Sequence, residues 1–385
     1  MRGPFSWCNG GKYGQVGVLG VLLLSVTVWA GPLEDAIATV ERLARYCLPD
    51  KQVRAGLFLP FQGRAREAQE ALATLVAAGK QGIPGLNRLL QHERAQVRQN
   101  AAHGLGLIAD PAIVSPLSSA LADRNSGVRD QVVWALGRSA SPAAVDLLRR
   151  ASERDKNPTV RGNARQWLDL LEKIVAADRL PKEKRLQQYI PLLKYSYAGE
   201  RVALVFGSEA VPALIAALKD QDPAIVRGAA ETLATIGDPQ GLEPIYRAYL
   251  EAPAGERLAS LAKALALFAH AEVWPYLCRL LNSGSSSAEY WALRGMRRFN
   301  HPDRQRVVLE FLREKVEQGE HRRVRRGDEV TVNSVAEACQ LLGAIGDAEA
   351  LPLLEQIAAE APANGLIKPL ARRSCQRLKA RLEAS

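Results

Sequence analysis

"VRQNAAHGLGLIADP" runs from Val97 to Pro111, and close variants of it return three times. They are "VRDQVVWALGRSASP" at Val128, "IVRGAAETLATIGDP" at Ile225 and "SVAEACQLLGAIGDA" at Ser334. Apolar or small residues stand at the first, fifth, sixth, ninth and twelfth places, the spacing of one helix face. The Asp-Pro that follows ends one helix and opens the next, because Asp caps well and Pro is tolerated in a first turn.

A second mark alternates with the first, an X-Pro followed by leucine-rich text. It reads "IPGLNRLL" at Ile83, "SPLSSAL" at Ser115, "IPLLKY" at Ile190, "VPALIAAL" at Val211, "EPIYRAYL" at Glu243, "WPYLCRLL" at Trp274 and "LPLLEQI" at Leu351. The steps from Pro84 to Pro116 and from Pro212 to Pro244 are both 32 residues. Two short helices per step predict a helical solenoid. The expected fold is all-α, a right-handed α-solenoid of about nine to ten helix pairs.

"GAAETLATIGDPQGLEPIYRAYL" and "AEACQLLGAIGDAEALPLLEQIA" resemble the short HEAT-like repeats of the phycobilisome lyase type. The resemblance covers the chain from about Gly63 onward. It implies the fold, and it brings enzyme precedents with it. A bilin lyase is one. A metal-dependent hydroxylase of the deoxyhypusine type is another, but that family places several His-Glu pairs on inward helices. Here only His92-Glu93 occurs, in an interhelix turn. Related alkylpurine DNA glycosylases use a basic groove.

The register slips twice. Pro191 to Pro212 is only 21 residues, which predicts a truncated unit around "GERVALVFGSEA". Pro275 to Pro352 is 77, room for two units and an insertion at 317–330, "EQGEHRRVRRGDEV". The domain plan is residues 1–30 as a signal peptide and 31–62 as a capping helix and long connection. Repeat blocks then follow over 63–176 and 177–385, joined near "AADRLPKEKR".

Residues 1–30 show the charged, apolar, small-residue order of a secretory signal. Arg2 and Lys12 precede the run "VGVLGVLLLSVTV", and Ala30 precedes Gly31. The run falls short of the ~20 residues a spanning helix needs. The mature chain is expected to begin at Gly31, without a transmembrane segment, and to be exported. In a Gram-negative host it would be periplasmic. Export disfavours nucleic acid and cytoplasmic chromophore proteins as partners.

Lys plus Arg number 51 against 41 acids, a net charge of +10 spread over 385 residues. Such an excess argues solubility and weak association with anionic partners. Cys47, Cys278, Cys339 and Cys375 lack C-x-x-C spacing, so neither a disulfide framework nor a metal site is expected. His270 and His301 stand where other units carry the capping Asp and read as weaker caps. No cofactor is expected.

The inner wall of the solenoid is read from the third, fourth, seventh and eleventh places. His103, Gln131, Trp134 and Arg138 form one candidate partner-binding patch there. Tyr290, Trp291, Arg294 and Arg298 form another. Tryptophan and arginine are the residue types that most often anchor a protein or peptide. The Val-Arg pairs at Arg98, Arg129 and Arg161 are expected to pair with acids such as Asp123 and Asp155, stitching neighbouring units. Arg322, Arg323, Arg325 and Arg326 make the basic insertion a candidate contact for an anionic envelope surface. The expected function is an exported scaffold that binds a protein or peptide partner along its groove.

Overall fold

The computed structural model describes residues 30–58, 60–61, 63–252, 256–322, 333–363 and 365–383. The signal-peptide reading of residues 1–29 lies outside them, as do Arg323, Arg325 and Arg326. Every regular element among the described residues is helical. The chain forms two compact units that divide between Arg185 and Leu186.

The first unit holds α1 (Ala30–Leu43), α2 (Arg66–Ala77), α3 (Ile83–Leu89), α4 (Ala95–Ile108), α5 (Val114–Ala120), α6 (Ser126–Arg138), α7 (Pro142–Arg154) and α8 (Pro158–Asp178). Helix α9 (Lys182–Tyr189) crosses the division. The second unit continues with α10 (Ser196–Phe206), α11 (Val211–Ala217), α12 (Pro223–Ile236), α13 (Leu242–Glu251), α14 (Glu256–Leu267) and α15 (Trp274–Leu281). It ends with α16 (Ser286–Met296), α17 (Arg304–Glu317), α18 (Ser334–Ile345), α19 (Leu351–Glu360) and α20 (Ile367–Glu383). In each unit successive even-numbered helices lie side by side as an inner row, and each except α10 packs on the odd-numbered helix before it. Both units are therefore all-α stacks of helix pairs, the solenoid arrangement.

Capping sets the phase of each pair. Asn125 and Asn157 accept the first free amides of α6 and α8, and Asp222 does so for α12. The Asp-Pro signal works as the sequence implies. Asp110 and Asp238 each accept an amide two residues on, with Pro in the first turn of the short 3-10 helix that leads into the next α-helix.

The apolar places make the core. Val97, Ala101, Ala102 and Leu105 are buried, as are Val128, Val132, Val133 and Leu136 one unit later. Two glycines let neighbouring inner helices close up. A Cβ on Gly106 would stand 2.2 Å from the Trp134 ring, and one on Gly137 would stand 2.2 Å from the Trp167 ring.

Arg98 and Arg129 stitch units as expected. Arg98 Nε and Nη2 donate to the two Asp123 carboxylate oxygens at 2.6 and 2.9 Å. Arg129 grips Asp155 the same way at 2.7 and 2.8 Å. Both pairs are buried. Burial alone would raise the Asp155 carboxyl, but the Arg129 hydrogen bonds outweigh it and hold the group below its ordinary range.

One expectation is corrected. Pro191 does not open an outer helix. It sits in a 3-10 turn, Ile190–Leu192, at the end of α9. The lysine-rich segment before it forms α9 itself. Its polar text hid it from a search for apolar periodicity.

Candidate functional site

The connection between α1 and α2 is the unexpected element. Residues 48–58 and 60–61 cross the inner side of α4 and α6 as a strap, with a short 3-10 turn at Asp50–Gln52 and a second turn closed by the Leu57 amide on the Arg54 carbonyl at 3.2 Å. Side chains of the two helices hold it by its main chain. The Leu48 amide donates to Gln96 Oε1 at 2.7 Å, and the Gly56 amide donates to Asp130 Oδ2 at 2.9 Å. Gln99 Nε2 donates to the Leu57 carbonyl at 2.8 Å, and Asn125 Nδ2 donates to the Asp50 carbonyl at 3.0 Å. In return Asp50 Oδ1 accepts the Ala95 amide at the start of α4, at 3.0 Å.

Two local features allow this approach. Gly56 takes φ 79°, which turns its amide toward Asp130 and which only glycine adopts cheaply. Gly127 carries no Cβ, and one placed there would lie 2.7 Å from the backbone nitrogen of Arg54.

An aromatic column continues from the strap into the helices. Phe58 stacks on His103 with ring centroids 4.0 Å apart, and His103 stacks on Trp134 at 4.6 Å. The Arg138 guanidinium lies 5.0 Å from the Trp134 ring centroid and donates through Nε to the Gly106 carbonyl at 2.8 Å. His103 Nδ1 stands 3.1 Å from Gln131 Oε1.

The first candidate patch is thus brought together, but not as an open wall. His103, Gln131, Trp134 and Arg138 are engaged with one another and with the strap. Burial pushes the His103 imidazole down to about 4, with Arg138 adding to the effect against the Gln131 hydrogen bond. Burial also raises the Asp130 carboxyl, although it accepts from Gly56 and from Asn163 Nδ2 at 2.7 Å.

The second candidate patch also forms, on the inner row of the second unit. Trp291 and Tyr290 are half-buried on α16, edge to face at 5.4 Å. Lys263 of α14 lies 6.0 Å from the Trp291 ring and pairs with Glu231 of α12 at 2.9 Å. Arg294 reaches the Tyr290 hydroxyl at 3.3 Å, and Arg298 donates to the Leu267 carbonyl at 2.9 Å. Both arginines remain exposed. The patch therefore offers two aromatic faces and a cationic margin.

Arg322 is the one described arginine of the basic insertion, and it donates to Glu360 at 2.5 Å. Beside it, the buried His321 Nε2 lies 2.8 Å from the same carboxylate. Nearby, Lys315 and Glu289 form a buried pair at 2.8 Å, and Ser334 Oγ donates to Glu289 at 2.8 Å. These contacts tie down the roots of the insertion.

His270 and His301 serve as caps, each accepting an amide two residues on, and His301 also stacks on Trp274 at 4.1 Å. Cys339 and Cys375 are buried free thiols, and burial raises both. Among the described residues, no group of three or more His, Cys, Asp or Glu could hold a metal ion.

Phe58 and Gln96 are the site residues that repeat periodicity missed, whereas Asp130 stands at a third place of the phrase. The available signal was "LFLPF" at Leu57–Phe61, four apolar residues and a proline inside a connection that solvent alone would not favour.

Comparison with known proteins agrees with this architecture. A family model described as HEAT repeats matches residues 83–169 and 198–266. The chain is 29% identical over 161 residues to the phycocyanobilin lyase subunit beta of Thermosynechococcus vestitus, spanning 37% of this chain and 75% of that protein. It is 33% identical over 129 residues to the bilin biosynthesis protein RpcF of Synechococcus, spanning 34% of this chain and 61% of that one. Among solved structures, human deoxyhypusine hydroxylase in complex with glycerol aligns with 70% of this chain and 100% of its own, at 18% identity and a TM-score of 0.35. An engineered protein aligns with 90% of this chain at 18% identity and a TM-score of 0.33. Among the described residues no helix is long and apolar enough to cross a membrane. Residues 83–169 and 198–266 thus match HEAT repeats, and about a third of the chain is similar to the two bilin proteins.

Proposed function

We propose that the chain is an exported repeat scaffold that binds a protein or peptide partner on its inner helices. The carrying observation is the patch on α16, where Tyr290 and Trp291 stand half-buried beside exposed Arg294 and Arg298. Half-buried aromatics with an arginine margin are the composition of a binding hot spot. The cationic rim favours a partner segment that carries acids. Support for export comes from residues 1–30 alone.

A photo-crosslinking side chain at Trp291, introduced in the native host, tests the binding reading. It should capture a defined partner that Arg294→Glu with Arg298→Glu abolishes, while the same probe at Tyr246 on α13 should not. Equal capture from both positions would reject the patch. N-terminal sequencing of host material should begin at Gly31. An intact Met1 would reject export.

A second reading follows from the likeness to the two bilin proteins, namely that the chain handles a linear tetrapyrrole. Titrating purified protein with a bilin and following its visible absorption tests it. A saturable spectral shift of about one chromophore per chain would favour this reading over the scaffold.

A further inference from the structure

We propose that the inner face of α4 and α6 is itself a binding site for a peptide segment, and that the strap, described over residues 48–58 and 60–61, is its resident, displaceable occupant. The inference stands on the first unit alone and does not depend on the patch of the second.

The first argument is the kind of surface beneath the strap. A permanent core is apolar, because burying polar groups carries a desolvation cost. Here the buried side chains that bond to the strap are Gln96, Gln99 and Asp130, and Gln131 backs His103. With His103 and Trp134 they form a polar and aromatic wall, the composition of an interface that is wetted when empty.

The second argument is how the strap is held. Recognition runs through its backbone, and the amides of Leu48 and Gly56 and the carbonyls of Asp50 and Leu57 are all read by helix side chains. Its own side chains anchor it at two points only. Val53 and Phe61 are buried, but Lys51, Gln52, Arg54 and Leu57 are exposed. Main-chain hydrogen bonds together with a few side-chain anchors are a recurring mode of peptide recognition.

The strap also states the ligand chemistry. The occupant is a chain that turns at Arg54–Leu57, with glycine in the turn opposite Asp130 and an aromatic ring two residues later on His103. An external peptide of the same Gly-x-aromatic form meets the same donors and acceptors. It competes with a tethered segment whose effective concentration is on the order of millimolar, so the site is masked until the strap is weakened or outcompeted.

The test uses the full chain and a fluorescent peptide of sequence PDKQVRAGLFLPFQ, residues 49–62. The strap is opened in the protein by Gly56→Val with Phe58→Ala. The opened protein, with helical content unchanged by circular dichroism, should bind the peptide at least tenfold more tightly than the natural chain does. Adding Gly127→Ala should abolish that binding, because its Cβ meets the peptide backbone. A folded opened variant that fails to bind would overturn the proposal, and so would binding indifferent to Gly127→Ala. If the opened variant does not fold, the strap is a structural piece and the proposal fails as well. Hydrogen exchange on the natural chain gives a separate reading. The Gly56 amide should exchange far faster than the amides of α4 and α6, and core-like protection would contradict displacement.

Discussion

Trp134 decides how the first inner face is understood. Its ring lies against Gly106, where a Cβ would come within 2.2 Å, and it is stacked by His103 on one side and approached by Arg138. Trp134→Ala should therefore act on stability. Removing a largely packed tryptophan costs about 3 kcal/mol. Thermal unfolding measures the loss, and crosslinking at Trp291 in the second unit should be unchanged by it.

His103 gives the pH dependence its sign. Its folded-state value of about 4 lies below the ordinary imidazole value of 6.5. The neutral ring's contribution is fully present above 6.5 and is lost as the pH falls toward 4. The change is at most about 3 kcal/mol, from 1.36 kcal/mol per unit. His103→Phe keeps the stack and removes the titration, so it should flatten the stability profile in that window. Denaturant melts at several pH values check this.

At the scale of elements, the strap makes two equivalent caps unequal. Asn157 caps α8 through its side-chain oxygen alone. Asn125 caps α6 identically and also donates to the Asp50 carbonyl of the strap. Asn157→Ala should cost about 1 kcal/mol, an ordinary cap, and Asn125→Ala about twice that. Equal losses in paired denaturant titrations would show that the strap contributes nothing at that point.

The elements also show what the sequence could convey. Inner helices were legible because each keeps an apolar stripe, and the period of that stripe survives in Val97, Ala101 and Leu105. Outer helices were legible where Pro marks the first turn, and α9 escaped because it is polar. The inner-face residues were placed on the correct side of their helices. What covers them was not legible, since the strap is held by backbone groups that leave no signature in its residue types. Gly127 and Gly56 matter through the contacts they permit, and no local pattern announces such contacts.

Across the whole molecule, stability is distributed between neighbouring pairs rather than pooled in one core. The buried Arg129–Asp155 bridge links the unit of α6 to that of α8. Arg129→Ala leaves the Asp155 carboxylate buried without its partner, at a cost of about 3 kcal/mol. The loss should fall mainly on the first unit. Hydrogen exchange should show faster opening of α6 and α8 while α12 to α18 keep their protection. A uniform loss across both units would contradict nearest-neighbour behaviour.

The strap has a consequence for the order in which the molecule is made. Nearly all repeat contacts join segments close in sequence, yet Gly56 reaches Asp130 across 74 residues. Local helix pairing forms quickly, whereas closing a long loop is slow. A growing chain therefore exposes the strap well before α6 exists to receive it. The first unit must assemble with its inner face open and be closed afterward by its own earlier segment. Every nascent copy passes through a receptive interval, in which another segment competes on equal terms for a place that the finished protein keeps for itself.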